Sequence, residues 1–285
     1  MQGTVWFAAH VVGAVLASAY LWLSLGAERP FTAGLVLGLG FATRTPLLFA
    51  FPLFVLEAMR AAAPAGAPQL LEAPLDYFRC LDRRRLFASL ARFAAPVLAI
   101  VAAMLVYNAL RFGHPLEFGY RYLAIVWQTR IQRWGLFSYH YLARNLGVML
   151  TSLPWVPAPS GAAFAVNLHG LALWFTTPLY LLLPWTQRKS DVRLGLALTA
   201  LALSLPSLFY QNSGWAQFGY RFSNDFAVFL FALVAVSGIA RLRTLLALSL
   251  LGLLVNAFGA KTFGRAEYSR FYVAEPTQRV LYQPD

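Results

Sequence analysis

Charged residues are scarce in this sequence, and carboxylates are the scarcest among them. Only 12% of the 285 residues are charged, with 11 Asp or Glu against 23 Lys or Arg. The hydrophobic content is 59% and the mean hydropathy is +0.59. A water-soluble domain of this length cannot bury so much apolar surface. The composition therefore excludes a soluble globular protein and predicts an integral membrane protein.

Cysteine and clustered metal ligands are also lacking. Cys80 is the one cysteine, so neither an intrachain disulfide nor a cysteine metal cluster can form. The four histidines, His10, His114, His140 and His169, lack the i, i+4 spacing of a metal pair. We expect no metal site among the site residues and no covalently bound cofactor, and leave open whether a divalent metal binds. The basic residues lie scattered between apolar runs, so the expected partner is membrane lipid and not nucleic acid.

Long apolar runs predict the fold class, an all-α polytopic bundle of transmembrane helices. A crossing needs roughly 20 apolar residues, which allows about six full spans here. The predicted spans are residues 5–26, 94–110, 164–185, 194–210, 226–240 and 244–258. No basic segment precedes the first run and no small-residue cleavage site follows it, so it is a span and not a signal peptide.

Residues 31–59 are apolar but broken in the middle by Arg44, Thr45 and Pro46. The residue before a proline is disfavoured in helical geometry, and each half is below the roughly 17 residues that a crossing requires. The segment therefore predicts a re-entrant pair of short helices with Arg44 at the tip. A single bent crossing is the alternative.

Two further segments predict interfacial helices within a single membrane domain. Arginines, leucines and aromatic residues alternate over residues 76–93, as in a helix lying on an anionic cytoplasmic leaflet. Residues 136–153 mix tyrosines with aliphatic residues. The domain would comprise residues 1–110, an outer loop over 111–163, C-terminal helices over 164–260 and an outer tail over 261–285.

The basic connections predict the orientation. Residues 187–193 and 241–243 are short and basic, so both should be cytoplasmic. Alternation then places the loop at 111–163 and the C-terminal tail outside, and the arginine-rich segment at 60–92 inside. With a re-entrant hairpin, Met1 lies outside.

Arg44 is the first candidate site residue, because an arginine within the membrane is costly unless it is paired. One hypothesis is that it holds a lipid phosphate or pyrophosphate bidentately. The other is a salt bridge to another helix, or extension of the side chain to the interface.

Two outer turns supply the remaining candidates. In the turn at 107–120, His114 or Glu117 could act on a substrate at the membrane surface, although a cap on the helix end is the simpler role. In the turn at 212–226, the i, i+4 spacing predicts an ion pair between Arg221 and Asp225. The alternative is a rim that grips a headgroup or sugar, with stacking faces supplied by Trp215 and Tyr220.

Three motifs together resemble the bacterial GT-C superfamily of membrane glycosyltransferases, including dolichyl-phosphate-mannose mannosyltransferase-like and glycosyltransferase family 39-like proteins. They are the run at 38–46, ending Thr43-Arg44-Thr45-Pro46, and the turns at 107–120 and 217–225. The resemblance implies a polyprenyl-phosphate-linked donor sugar and transfer at the outer face of the bacterial inner membrane. Arg44 would contact the lipid phosphate, while Arg221 and Asp225 would belong to an outer rim.

Family members carry an acidic residue in the first outer loop, and nothing in this sequence matches that loop. The resemblance therefore implies the C-terminal part of such an enzyme, which would not transfer sugar alone. A Met1 that lies outside with no translocation signal before it agrees with a truncated start. The alternatives are a transporter or flippase of lipid-linked intermediates, or a non-catalytic scaffold. The single broken segment counts against a transporter, which commonly has a pair of them.

Overall fold

The computed structural model describes residues 5–122, 128–156, 158, 161–185, 190–214, 216–238 and 241–273. Contacts divide the chain into two compact units. The first comprises Met1–Ile125, Arg188–Leu203 and Asn224–Val236, and the second comprises Val126–Gln187, Ser204–Ser223 and Ser237–Asp285.

Most of the described residues are helical. The α-helices are α1 Val5–Ser24, α2 Pro30–Thr43, α3 Phe51–Ala62, α4 Pro74–Cys80, α5 Arg83–Phe112, α6 Gln128–Trp134, α7 Leu142–Thr151, α8 Leu173–Thr176, α9 Asp191–Phe209, α10 Ala227–Val236 and α11 Leu242–Thr262. Short 3₁₀ segments adjoin them, notably Leu25–Ala27, Thr45–Ala50, Tyr139–Tyr141, Pro178–Trp185, Arg221–Asp225 and Ala266–Phe271. In the described ranges, the strands are β1 Val166–Asn167 and β2 Tyr272–Val273, which pair in parallel.

Within the described residues, five helices are long and apolar enough to cross a membrane, and they confirm the predicted all-α bundle of membrane helices. They are Phe7–Ala27, Thr45–Ala62, Arg83–Phe112, Asp191–Phe209 and Leu242–Thr262. The helices α2 and α10 are apolar but shorter, so the span predicted over residues 226–240 is only a ten-residue helix.

The span predicted over residues 164–185 is wrong. In place of one long helix, the four-residue α8 is followed by the 3₁₀ segment Pro178–Trp185. Thr177 has non-helical dihedral angles, φ −134° and ψ 76°. A proline has no N–H and restricts the residue before it, so Pro178 ends the helix within an apolar run that hydropathy alone treats as continuous.

The broken segment over residues 30–62 forms a hairpin alongside α1. Along α1, Gly13 lies against Arg44, the Tyr20 hydroxyl donates to the Ala50 carbonyl, and the Gly26 N–H donates to the Glu57 carboxylate. The second arm, Thr45–Ala62, therefore runs parallel to α1. The first arm, α2, starts where α1 ends and runs back toward Gly13. The two arms are antiparallel, with Arg44 between them.

Two glycines let the first arm lie against α5. A Cβ atom at Gly34 would lie 2.0 Å from the Phe93 carbonyl oxygen, and one at Gly38 would lie 2.6 Å from Cδ1 of Ile100. The second arm packs on the same helix, because the rings of Phe54 and Phe93 stack with centroids 4.1 Å apart. The small-residue spacing thus serves close helix packing, as in other membrane helix pairs.

The surface helix predicted over residues 76–93 is replaced by two elements. The helix α4 ends at Cys80, and α5 begins at Arg83, more than ten residues before the predicted start of the span at 94. The Asp82 carboxylate accepts a hydrogen bond from the Arg85 N–H at 3.0 Å, which is a standard N-cap. The arginines therefore belong to the first turns of a long helix.

The second unit contains the other predicted interfacial segment and the C-terminal span. Residues 139–151 are helical, as the Tyr139–Tyr141 segment followed by α7. The span α11 packs on the Pro178–Trp185 segment, and Asn256 on α11 donates to the Thr176 carbonyl at 2.7 Å.

Candidate functional site at the hairpin apex

Arg44 occupies the apex of the hairpin because α2 ends at Thr43 and Arg44 is its C-terminal cap. Its N–H still bonds the Gly40 carbonyl at 2.7 Å, but its backbone is extended, with φ −141° and ψ 102°. The second arm then starts at Thr45, with Pro46 in its first turn. Space for the side chain comes from Gly13 on α1, where a Cβ atom would lie 2.9 Å from Cγ of Arg44.

The Arg44 guanidinium forms a bidentate salt bridge with Asp225, which ends a 3₁₀ segment two residues before α10. Nε donates to Oδ1 at 2.9 Å, and Nη2 donates to Oδ2. The two side chains are 13% and 4% exposed. The salt-bridge hypothesis for Arg44 is confirmed, and it accounts for how the arginine is accommodated at this position.

The expected ion pair between Arg221 and Asp225 is wrong, because Asp225 pairs with Arg44. Arg221–Asp225 is a 3₁₀ segment, in which residues i and i+3 share a face and residues i and i+4 do not. The spacing rule that predicted the pair holds only in an α-helix.

His10 is a third ionisable residue at this position, although nothing in its sequence context indicated a role. Its Nδ1 lies 4.0 Å from Oδ1 of Asp225, and its side chain is buried. His10 precedes Gly13 by nearly one turn of α1, so one face of α1 presents both residues to the apex.

One edge of the Arg44 guanidinium remains available for a ligand. Asp225 takes up the Nε and Nη2 edge, and Nη1 makes no hydrogen bond to any residue that the structure describes. A guanidinium carries five N–H donors in one plane, so it can bind a carboxylate on one edge and a phosphate oxygen on another. The salt bridge also holds this group in one orientation.

An apolar groove lies between the two arms of the hairpin and α5. Its volume is about 280 Å³, and it is lined by Leu37, Leu48, Phe51, Val55, Leu90, Phe93, Ala94, Val97 and Leu98. Leu37 is seven residues before Arg44 on α2, which corresponds to about 10 Å along the helix. The groove can hold a segment of an acyl or prenyl chain.

The candidates in the first outer turn form local hydrogen bonds. The Leu116 N–H donates to Nδ1 of His114 at 3.2 Å, and the Gly119 N–H donates to the Glu117 carboxylate at 2.8 Å. Asn108, on α5, donates to the Pro115 carbonyl at 3.2 Å. The bonds of His114 and Glu117 lie within the turn after α5 and do not form the predicted cap, because Gly113 ends the helix with a bond from its N–H to the Ala109 carbonyl. A role for His114 or Glu117 in acting on a substrate stays a prediction.

The structure places the remaining candidates as follows. Tyr220 is only 2% exposed and donates its hydroxyl to Oγ of Ser207 at 3.0 Å, so its ring offers no stacking face. Arg221 donates its N–H to the Gln217 side chain at 3.0 Å, and its guanidinium lies over the Phe222 ring. Trp215 lies outside the described residues. The outer-rim hypothesis therefore loses Tyr220 and Asp225, which are both buried, and for Arg221 it stays a prediction.

A second polar cluster, which sequence reasoning missed, caps the C-terminal end of α9 in the second unit. Asn145 donates to the carbonyls of Ser207, Leu208 and Tyr210, and Arg144 donates to the Gln211 carbonyl at 2.6 Å. A helix C-terminus carries partial negative charge and unpaired carbonyls, which these side chains satisfy. Burial lowers the pKa of Arg144 to about 10. The polar pair within an otherwise aliphatic α7 was the available indication.

His169, in the same unit, is also shielded from water. Its Nδ1 lies 2.6 Å from Oγ of Ser213. Burial, together with the positive charge of Arg144 and Arg130, lowers the pKa of His169 to about 4. The imidazole is therefore neutral near pH 7.

Metal binding has no support in the geometry of the described ranges, where no group of three or more His, Cys, Asp or Glu side chains could hold an ion. Comparison with known proteins gives no relative: no family model, curated protein or solved structure matches the chain. The resemblance to the GT-C superfamily consequently stays a prediction from the three motifs.

Proposed function

We propose that this chain is an integral membrane protein that binds a polyprenyl-phosphate-linked sugar, as the lipid-binding part of a GT-C-like glycosyltransferase. The supporting observation is the hairpin, where a guanidinium held in place by Asp225 has a free edge at the apex and where both arms line an apolar groove. A lipid-linked sugar needs both features, one for its phosphate and one for its chain.

The depth of the apex suits a phosphate near one membrane face. The second arm runs beside α1 from Gly26 back to Gly13, a distance of about 20 Å at 1.5 Å per residue. The hydrocarbon core is about 30 Å thick. The apex then lies in the far half of the bilayer, on the side that the basic connections predict to be outside.

Asp225 is a positioning residue in this proposal. Both of its carboxylate oxygens accept hydrogen bonds from Arg44, so it orients the guanidinium and balances its charge. Sugar transfer would need a further acidic residue to act as the base, and the outer loop that supplies it in the family has no match here. The proposed activity of this chain is therefore lipid binding.

Binding of a polyprenyl phosphate and of the matching polyprenol to the protein in neutral detergent tests the proposal. A charge-assisted hydrogen bond contributes about 1.5–3 kcal/mol, so the phosphate should bind roughly 10- to 100-fold more tightly than the alcohol. Arg44→Gln should remove this preference and leave polyprenol binding unchanged. Arg29→Gln, an exposed arginine before the hairpin, is the matched control and should keep it.

Two results would contradict the proposal. One is equal binding of phosphate and alcohol by the unchanged protein. The other is an Arg44→Gln variant that folds, as judged by its elution profile, and still prefers the phosphate.

A further inference from the structure

Five arginines surround the start of α5, on the side of the first unit away from Arg44. They are Arg79, Arg83, Arg84, Arg85 and Arg92, and all are exposed. Arg79 lies 3.5 Å from Asp76, in a pair whose side chains are 77% and 70% exposed. For the other four, no ion pair with a described residue exists. The lipid-binding hypothesis above uses none of them.

Their position on the helix is electrostatically unfavourable. Arg83, Arg84 and Arg85 occupy the first turn of α5, where the helix dipole is positive and acidic residues are preferred. The Asp82 cap is the one carboxylate between Arg79 and Arg92. Three cations at this site therefore do not stabilise the fold. A bound external anion would replace their electrostatic repulsion with attraction.

The length of α5 places this cluster at headgroup depth. The helix has 30 residues, or about 45 Å, and a crossing takes roughly 20 of them. The extra ten residues correspond to Arg83–Arg92, which therefore extend about 15 Å past the hydrocarbon. Headgroups begin where the hydrocarbon ends, so these arginines lie among them or just beyond.

Apolar side chains lie exposed between the arginines. Phe87 is 66% exposed, and Leu75 and Phe78 on α4 are exposed as well. Aromatic and leucine side chains that face outward beside cations suit the boundary between headgroups and acyl chains. A soluble acidic partner would pair with the arginines, but it would leave these apolar side chains exposed to water.

We propose that α4 and the first turns of α5 form a binding surface for the phosphate headgroups of anionic phospholipids. The arginines contact the phosphates, and Phe78 and Phe87 enter the acyl boundary. Each arginine near an anionic surface adds about 1 kcal/mol, or about fivefold in affinity. This surface is independent of the hairpin apex, so either proposal can fail alone.

The test compares phosphatidylglycerol, which is anionic, with zwitterionic phosphatidylcholine, by counting the lipids that stay bound in native mass spectrometry. The triple variant Arg83→Gln, Arg84→Gln, Arg85→Gln should bind phosphatidylglycerol roughly 100-fold more weakly and phosphatidylcholine unchanged. The matched control removes three exposed cations elsewhere, with Lys261→Gln, Arg265→Gln and Arg270→Gln, and should keep the preference.

A thermal measurement gives a second, independent readout. In neutral detergent the triple variant should unfold at the same or a higher temperature than the unchanged protein, because a conflict with the helix dipole is relieved. Added phosphatidylglycerol should reverse that order, and high salt should abolish the reversal. This ordering also shows that the variant folds.

The proposal fails if the triple variant retains its preference for phosphatidylglycerol within a factor of two. It also fails if the unchanged protein binds both lipids equally, or if it binds an acidic polypeptide or RNA in preference to phosphatidylglycerol. Inorganic phosphate at the same concentration should not compete, and full competition would indicate a site for a free anion instead of a lipid surface.

Discussion

Replacing Asp225 with asparagine should leave a buried arginine without its counter-charge. The two groups lie 2.9 Å apart at Nε and Oδ1, and the pair is largely shielded from water. At about 4 Å between charges and an effective dielectric constant of about 20, their attraction is about 4 kcal/mol. Loss of one partner from a buried pair typically costs about 3–5 kcal/mol. We expect Asp225→Asn and Arg44→Gln each to destabilise the protein by about this amount.

The double variant should recover much of the loss, because it removes both charges together. The coupling energy in a double-mutant cycle should therefore be at least about 2 kcal/mol. The same cycle at the exposed pair of Asp76 and Arg79 should give about 0.5 kcal/mol or less, since exposed ion pairs contribute little.

Tryptophan fluorescence during thermal unfolding in detergent measures these effects. A loss of about 4 kcal/mol should lower the unfolding temperature by roughly 10 °C. The reasoning is refuted if both single variants unfold within a degree or two of the unchanged protein, or if the effects of the two substitutions simply add.

Three further predictions use the same measurement. Gly34→Ala should cost at least about 2 kcal/mol, because its Cβ would lie 2.0 Å from a backbone oxygen of α5; Gly195→Ala, whose nearest contact would be 3.4 Å, should cost little. Asn145→Ala should cost about 2–4 kcal/mol, since it removes the donor from two buried carbonyls and one partly buried carbonyl. The pKa of His169 is lowered to about 4, so its contribution to stability is complete above about pH 6.5 and is lost as the pH falls toward 4. We expect a loss of about 1–3 kcal/mol over that range, which His169→Gln should remove and His114→Gln at an exposed position should not.

Hydropathy and helix-breaking residues predicted the fold class and the position of the hairpin. Apolar runs report the free energy of transfer into lipid, which depends on composition and so is readable from one segment alone. The break at Arg44 could also be predicted from neighbouring residues alone, because Pro46 lacks an N–H and restricts the residue before it. Hydropathy failed over residues 164–185, where Pro178 interrupts a run that is apolar throughout, and it also missed the early start of α5 at the Asp82 cap.

The candidate site was only half predictable. Arg44 could be selected because a charge within an apolar run is conspicuous. Its partner Asp225 lies 181 residues away, and a spacing rule for α-helices predicted Arg221 as the partner of Asp225 instead. His10 resembles any polar residue in a first span until the tertiary structure brings it beside the pair. Long-range partners depend on packing between elements, which one sequence does not encode in its spacing.

The antiparallel hairpin determines the direction in which the chain continues after it. Because Pro30–Thr43 and Thr45–Ala62 are antiparallel, the segment begins and ends at the same end of α1. Deleting the entire hairpin would keep α5 in its present direction relative to α1, whereas deleting one arm would reverse the direction of α5.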